Sequence, residues 1–182
     1  MSSSAIQTFT GLRFSPLEPD PAAIAIEDIA HGLAHHCRFG GHAASYYSVG
    51  QHSCVVADAV RARGGDRDTV LHALLHDAAE AYLGDLPHPV KHRSDFGALY
   101  RQIEEPLQAA ILARFGLTSA PPPLVKEVDR AALAAERAVL MRAADDAWWP
   151  ELDGVEPLEV ELVPWTPPQS KTEFLQRFEE LR

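Results

Sequence analysis

The chain has 182 residues, 46% of them hydrophobic, enough for one ordinary domain spanning 1–182 around its own core. A formal charge of −10 repels the phosphate backbone of long nucleic acids, yet a single nucleotide needs only a few local cations or a metal. There is no apolar run of about eighteen residues, no basic-then-apolar leader, and no cysteine framework beyond Cys37 and Cys54. The expectation is a cytoplasmic protein without membrane contact, its cysteines acting as small buried hydrophobes.

In chain order, Thr8–Asp20 reads as extended chain. A helix follows over Ile26–Cys37, because Ile29, Leu33 and Cys37 share a face and Gly40-Gly41 ends it. Ser48 is an N-cap for a second helix, Val49–Arg63, closed by Gly64-Gly65. Asp66 or Asp68 caps a third, which runs through Tyr82 to Gly84. Asp85-Leu-Pro-His-Pro-Val reads as a loop, since two prolines within three residues oppose a regular helix. Tyr100–Phe115 is helical by pattern, and Pro106 should kink it or mark a restart. Pro121–Pro123 is a stiff connector before the clearest helix, Leu124–Ala144. Glu151–Trp165 alternates in part (Leu158, Val160, Leu162) and can form a short strand paired with the N-terminal extended stretch. The last helix opens on a capping box, Ser170-Lys-Thr-Glu173. The expected fold class is all-α, a helical bundle with one short β-hairpin from the N- and C-terminal extended segments.

Four positions carry metal-ligand chemistry. On the third helix His72, His76 and Glu80 form one stripe. Asp77 lies about 100° round from His76, so one ion between the two directions could be reached by both. His52 shares a face with Val55, Val56 and Ala59 and therefore points inward. Asp129 lies in a row with Leu133, Glu136 and Leu140, where a carboxylate is costly unless paired or bound to metal. Taken singly, His52 also reads as a core histidine and Asp129 as the partner of a buried arginine. Imidazole with carboxylate suits Zn, Mn, Fe, Co or Ni. Glu80, three residues beyond Asp77, can reach an outer water. Arg38, at a helix end, and Lys91 are candidate phosphate clamps. Glu136 is a candidate ion-pair partner for Arg38 or Arg137. Trp148-Trp149 reads as helix-end or subunit packing, with base stacking as the alternative.

The order His52, His76-Asp77, Asp129 resembles the H…HD…D pattern of the HD-domain metal-dependent phosphohydrolases. The run His76-Asp-Ala-Ala-Glu80-Ala-Tyr-Leu-Gly-Asp85-Leu-Pro-His-Pro-Val-Lys91 is similar to a segment of the bacterial 5′-deoxynucleotidases. It is also similar to small phage-type HD enzymes that dephosphorylate deoxynucleoside triphosphates. Asp28-Ile-Ala-His, Cys37-Arg-Phe-Gly-Gly-His42 and Tyr47-Ser-Val-Gly-Gln-His52-Ser fit the second group, and the similarity spans Thr8 to about Met141. The resemblance implies an HD-domain bundle holding one divalent transition metal (Co, Zn, Mn, Fe or Ni) at His52, His76, Asp77 and Asp129. A second Mg or Mn can join with substrate. It further implies catalytic roles for Glu80 and Asp85, substrate contacts at Arg38, Phe39, Lys91 and His88, and a homo-oligomer of two or more copies. Where the deoxynucleotidases place an Arg-Trp pair that screens the sugar, this chain has Arg38-Phe39, so Phe39 is where sugar choice is expected to be decided. The expected reaction is hydrolysis of a deoxynucleoside 5′-monophosphate. The alternatives are a deoxynucleoside triphosphate phosphohydrolase that releases tripolyphosphate, and a non-catalytic, metal-bearing nucleotide sensor.

Overall fold

The computed structural model describes residues 4–143 and 149–182. Its helices are α1 (Ile26–His35), α2 (Val49–Ala62), α3 (Arg67–Leu75), α4 (Glu80–Leu83), α5 (His88–His92), α6 (Asp95–Arg114), α7 (Pro123–Leu140) and α8 (Pro167–Glu180). The fold is an all-α HD bundle with a short hairpin, β1 (Ile6–Gln7) against β2 (Arg13–Phe14).

Helix α2 is the axis, packed against α1, α3, α7 and α8. Burial runs nearly all round it, from Val49 to Cys54 and on through Val56, Ala57 and Val60, as expected for a helix enclosed by others. Its N-cap is Ser48, whose hydroxyl accepts from Gln51 N at 3.0 Å. Gly50 sets the spacing there: a Cβ would stand 2.8 Å from Ser170 Oγ and 3.2 Å from Ala34 N. A second close approach joins α1 to α4, where a Cβ on Gly32 would meet the backbone oxygen of Ala81 at 2.6 Å. Ile29, Leu33, Val56, Leu74, Leu75, Leu107, Ile111 and Phe174 fill the centre with essentially no exposure. Each such side chain contributes roughly 1.5–3 kcal/mol of transfer free energy.

Several elements differ from their sequence-based outlines. Both hairpin strands come from the N-terminal segment, and Glu151–Trp165 forms no strand with them. That segment instead opens in a 3-10 turn, Pro150–Leu152, and its later part runs over α2, clipped by one buried amide: Gln51 Nε2 donates to Val163 O at 2.7 Å and Trp165 N donates to Gln51 Oε1 at 2.9 Å. Pro106 lies inside α6 without ending it, because its missing N–H falls on the exposed face. The helix starts earlier than expected, at Asp95, where Ser94 Oγ accepts from Gly97 N. The Pro-His-Pro run is a loop only as far as Pro87. Its second proline opens α5, where the lost N–H would have no helical partner anyway. Helix α8 is capped by Thr166, which leaves Ser170 buried in its second turn, 2.8 Å from Ser48 Oγ. The third helix stops at Leu75 and resumes at Glu80, and the break falls on the His-Asp pair.

Candidate metal centre

The four sequence-selected ligands come from three places: His52 from the first turn of α2, His76 and Asp77 from the break between α3 and α4, and Asp129 from α7. Their ligand atoms converge. His52 Nε2 lies 3.2 Å from His76 Nε2, 3.1 Å from Asp129 Oδ1 and 3.9 Å from Asp77 Oδ2. His76 Nε2 lies 3.2 Å from Asp77 Oδ2 and 3.7 Å from Asp129 Oδ1. An ion with bonds of ~2.1 Å has neighbouring ligand atoms ~3.0 Å apart in an octahedron and ~3.4 Å apart in a tetrahedron. The observed spacings cluster around those edges.

Proton placement sharpens the fit. His52 Nδ1 is 2.7 Å from Glu136 Oε1, and His76 Nδ1 is 2.7 Å from Ala73 O, both of them acceptors. Each imidazole therefore donates through Nδ1 and turns Nε2 toward the other ring and toward two carboxylates. Two Nε2 atoms and two carboxylates facing one another call for a cation, either protons on Nε2 or a divalent metal in their place. The surrounding charges act the same way. Burial opposes a charged His76, but Asp77 and Asp129 outweigh it and hold the ring up at about 9. Burial likewise opposes ionisation of Asp77, yet His76, His52 and Arg38 keep it far below the usual carboxylate range. His52, His76 and Asp129 could hold a divalent metal, with Asp77 Oδ2 beside them.

Glu136 sits behind the cluster with no exposure. Its Oε2 is 3.1 Å from Arg38 Nε, so one carboxylate supports both the His52 ring and the arginine. Arg38 is 11% exposed, and its Nη1 lies 3.7 Å from Asp77 Oδ2. The ion-pair partner expected for Glu136 is therefore Arg38. Phe39 has a left-handed backbone (φ 57), unusual for a non-glycine residue and eased by Gly40 and Gly41, which also have positive φ. Its ring lies 5.4 Å from the Arg38 guanidinium carbon and 6.1 Å from the Trp149 ring, edge-on. The Trp149 ring also lies 5.6 Å from the Arg137 guanidinium carbon, while Trp148 lies outside the described residues.

Glu80 is buried at the first residue of α4. Among the described residues its Oε2 has no hydrogen-bond partner, and burial, reinforced by Asp77 and Asp85, raises its proton affinity well above that of an ordinary glutamate. Asp85 follows Gly84 in the half-buried loop before Pro87. Burial and the charge of Asp77 push its carboxyl up, against Arg38 and Lys91. Lys91 is 3.6 Å from Glu80 Oε1 but only 2.7 Å from Glu104 Oε1, a partner the sequence did not suggest. His88 is on the rim: its Nδ1 is 4.0 Å from Glu151 Oε1, its ring packs on His92, and no contact among the described residues joins it to the cluster. His72 stays on the ordinary part of α3, buried and apart. Beside His76 and Asp77 opens a cavity of about 360 Å³, walled by Lys91, Glu104, Glu105 and Gln108. Glu104 and Gln108 escaped sequence reasoning. The available signal was a polar pair at i, i+4 beside the apolar row of α6.

Comparison with known proteins agrees with this geometry. The sequence profile of the YfbR-like 5′-deoxynucleotidases matches residues 40–146. The uncharacterised protein YfdR of Escherichia coli (strain K12) is 35% identical over 179 residues, covering 98% of this chain and 96% of its own. An uncharacterised protein of Rhodobacter capsulatus is 42% identical over 127 residues, covering 68% of this chain and 64% of its own.

Proposed function

The chain belongs to the YfbR-like 5′-deoxynucleotidase family, within the HD-domain superfamily, and on that premise we propose that it hydrolyses deoxynucleoside 5′-monophosphates to nucleoside and phosphate. The observation that carries the reading is the convergence of four ligand atoms beside a buried, partly unpartnered carboxyl, Glu80. In this reading residues 1–182 form one domain. His52, His76, Asp77 and Asp129 hold one divalent transition metal. A bound ion of this kind supplies Lewis acidity, lowering the pKa of water and offsetting charge on the phosphoryl oxygens.

The protein's own groups do the rest. Arg38, fixed between Glu136 and Asp77, turns its guanidinium edge to the phosphate and orients it. Glu80 and Asp85 divide the proton transfers: one takes the proton of the attacking water and the other returns a proton to the departing 5′-oxygen. Burial raises the proton affinity of both, which brings each nearer the pH at which it must exchange protons. Lys91, between Glu80 and Glu104, adds positive charge where the phosphate enters. Phe39, held in its unusual backbone conformation beside Arg38, borders the sugar.

The test is a panel of deoxynucleoside mono-, di- and triphosphates with Co, Mn, Zn and Mg, with products identified by phosphate chain length. Orthophosphate from monophosphates is expected. Tripolyphosphate from triphosphates, with monophosphates untouched, overturns the substrate assignment. A metal-loaded protein that turns over none of them overturns the enzymatic reading. Elemental analysis of His76→Ala and Asp77→Ala should find metal retention lost, and one metal per chain in either variant refutes the ligand set. Light scattering on the same samples should find two or more copies.

A further inference from the structure

Helix α3 does not simply fray at Leu75; one side chain from another helix opens it. In an unbroken helix Ala79 N would donate to Leu75 O. Here Gln108 Nε2 donates to Leu75 O at 2.6 Å, and Ala79 N donates to Gln108 Oε1 at 2.9 Å. The amide is inserted into the ladder, and the residues it brackets include His76 and Asp77. Beyond the insertion the chain is overwound. Ala78 N bonds back to Leu75 O, Glu80 N to Asp77 O, Ala81 N to Ala78 O and Tyr82 N to Ala79 O, each three residues back rather than four. Ala73 O, one turn earlier, accepts from His76 Nδ1 and so fixes that ring.

Winding decides where the carboxylates point. At three residues per turn, positions i and i+3 eclipse, so Asp77 and Glu80 stand in one line. At 3.6 residues per turn they would diverge by about 60°. The tighter winding is intrinsically poorer, and a short stretch of it inside a helix needs outside support. Gln108 supplies that support by accepting from Ala79 N, which the tighter winding leaves without a backbone acceptor, and by adding a second donor to Leu75 O beside Ala78 N. Gln108 also lines the cavity beside His76 and Asp77, and Glu104, one turn before it on α6, holds Lys91. One face of α6 thus reaches both the segment that bears two ligands and the lysine over the site.

We propose that Gln108 is a positioning residue, whose inserted amide holds the His76–Ala79 segment overwound so that Asp77 and Glu80 face the same centre. The inference rests on the metal-site reading given above. If Gln108 only satisfied a helix end, its loss would lower stability and leave metal and turnover alone.

The experiment compares wild type with Gln108→Met, which keeps length and removes both hydrogen bonds, and Gln108→Glu, which keeps the acceptor for Ala79 N and removes the donor. Thermal unfolding reports the fold. Cobalt affinity by chelator competition, and the visible spectrum of the cobalt-loaded protein, report the ligand geometry. The split between kcat and KM reports Glu80. Gln108→Met is expected to fold, to bind cobalt ~10–100-fold more weakly, as when a group supporting a ligand is lost, and to show an altered cobalt spectrum. Its kcat should fall more than its KM rises, with Gln108→Glu lying between. A Gln108→Met protein with lowered thermal stability but wild-type cobalt affinity, spectrum and kcat overturns the proposal. If Gln108→Met does not fold, the same readouts on Gln108→Glu decide it. Wild type that takes up no cobalt refutes the metal-site reading and this one with it. Wild type that takes it up beside an unaffected variant refutes this one alone.

Discussion

Glu136 offers the sharpest test of how the centre is held. Its carboxylate has no exposure and lies close to two cationic or ring nitrogens, His52 Nδ1 at 2.7 Å and Arg38 Nε at 3.1 Å, with the Tyr47 hydroxyl also beside it. Glu136→Ala leaves a buried guanidinium whose nearest remaining anion is Asp77 at 3.7 Å, and a buried imidazole N–H with no acceptor. Breaking a buried ion pair by removing one partner costs about 3–5 kcal/mol, because the other charge is left uncompensated. A domain of this size gains or loses about 2–4 °C of Tm per kcal/mol, so Tm should fall by roughly 6–20 °C. Most of that loss comes from the stranded cation. Adding Arg38→Met should therefore restore part of it, and the double variant should melt above Glu136→Ala. Thermal unfolding by circular dichroism, with all variants stripped of metal, measures both effects. A fall under about 3 °C, or strict additivity in the double variant, refutes the reasoning.

The remaining expectations concern separate parts of the molecule. Glu80→Ala should keep one metal per chain and lose about 10²–10⁴-fold in kcat; turnover at the wild-type rate removes Glu80 from the chemistry. Burial pushes the Cys54 thiol up to about 12, while Cys37 is half-buried near the surface, so a thiol reagent at pH 8 should modify one cysteine in the native protein and two in denaturant. Two native reactive thiols would contradict the packing of α2. Asp66 caps α3 by accepting from Thr69 N at 2.8 Å, and hydrogen bonding to the Thr69 hydroxyl, followed by that backbone bond, depresses its pKa. A group with a depressed folded pKa stabilises above its unfolded value, ~3.9, and loses that contribution as pH falls through the folded one. Asp66→Ala should thus destabilise at pH 7, with a deficit that shrinks as pH falls below ~3.9, as denaturant titrations at neutral and acid pH can show. A deficit independent of pH would mean that the cap does not act through its charge.

What the sequence made legible was the set of faces. His52 beside Val56 and Asp129 in line with Glu136 and Leu140 point inward because their neighbours are buried, and the ligand stripe follows from that periodicity. Local chemistry also placed the caps at Ser48 and Asp66. Winding was not legible. The opening at Leu75 depends on Gln108, far along the chain on another helix, and no local pattern in Leu-Leu-His-Asp-Ala-Ala announces it. Pairings among charges were hidden for the same reason. Lys91 has carboxylates on both sides, and only the packing of α5 on α6 selects Glu104 as the nearer. The hairpin partner was misjudged because Glu151–Trp165 carries strand-like alternation, yet Gln51 spends its amide fastening that segment flat on α2.

Gly32 has a bearing on how the protein can vary. It bears no charge and contacts none of the ligand atoms, but α1 and α4 touch through it, backbone to backbone, at the residue following Glu80. Any side chain there must push α4 outward, and the nearest thing to move is the buried carboxyl of Glu80, which we propose exchanges protons in the reaction. A mutational screen scored on turnover would therefore flag Gly32 as though it were catalytic, while a screen scored on metal content would pass over it. Variation that tunes the rate without touching the metal has its entry point in the packing of α1 rather than at the centre.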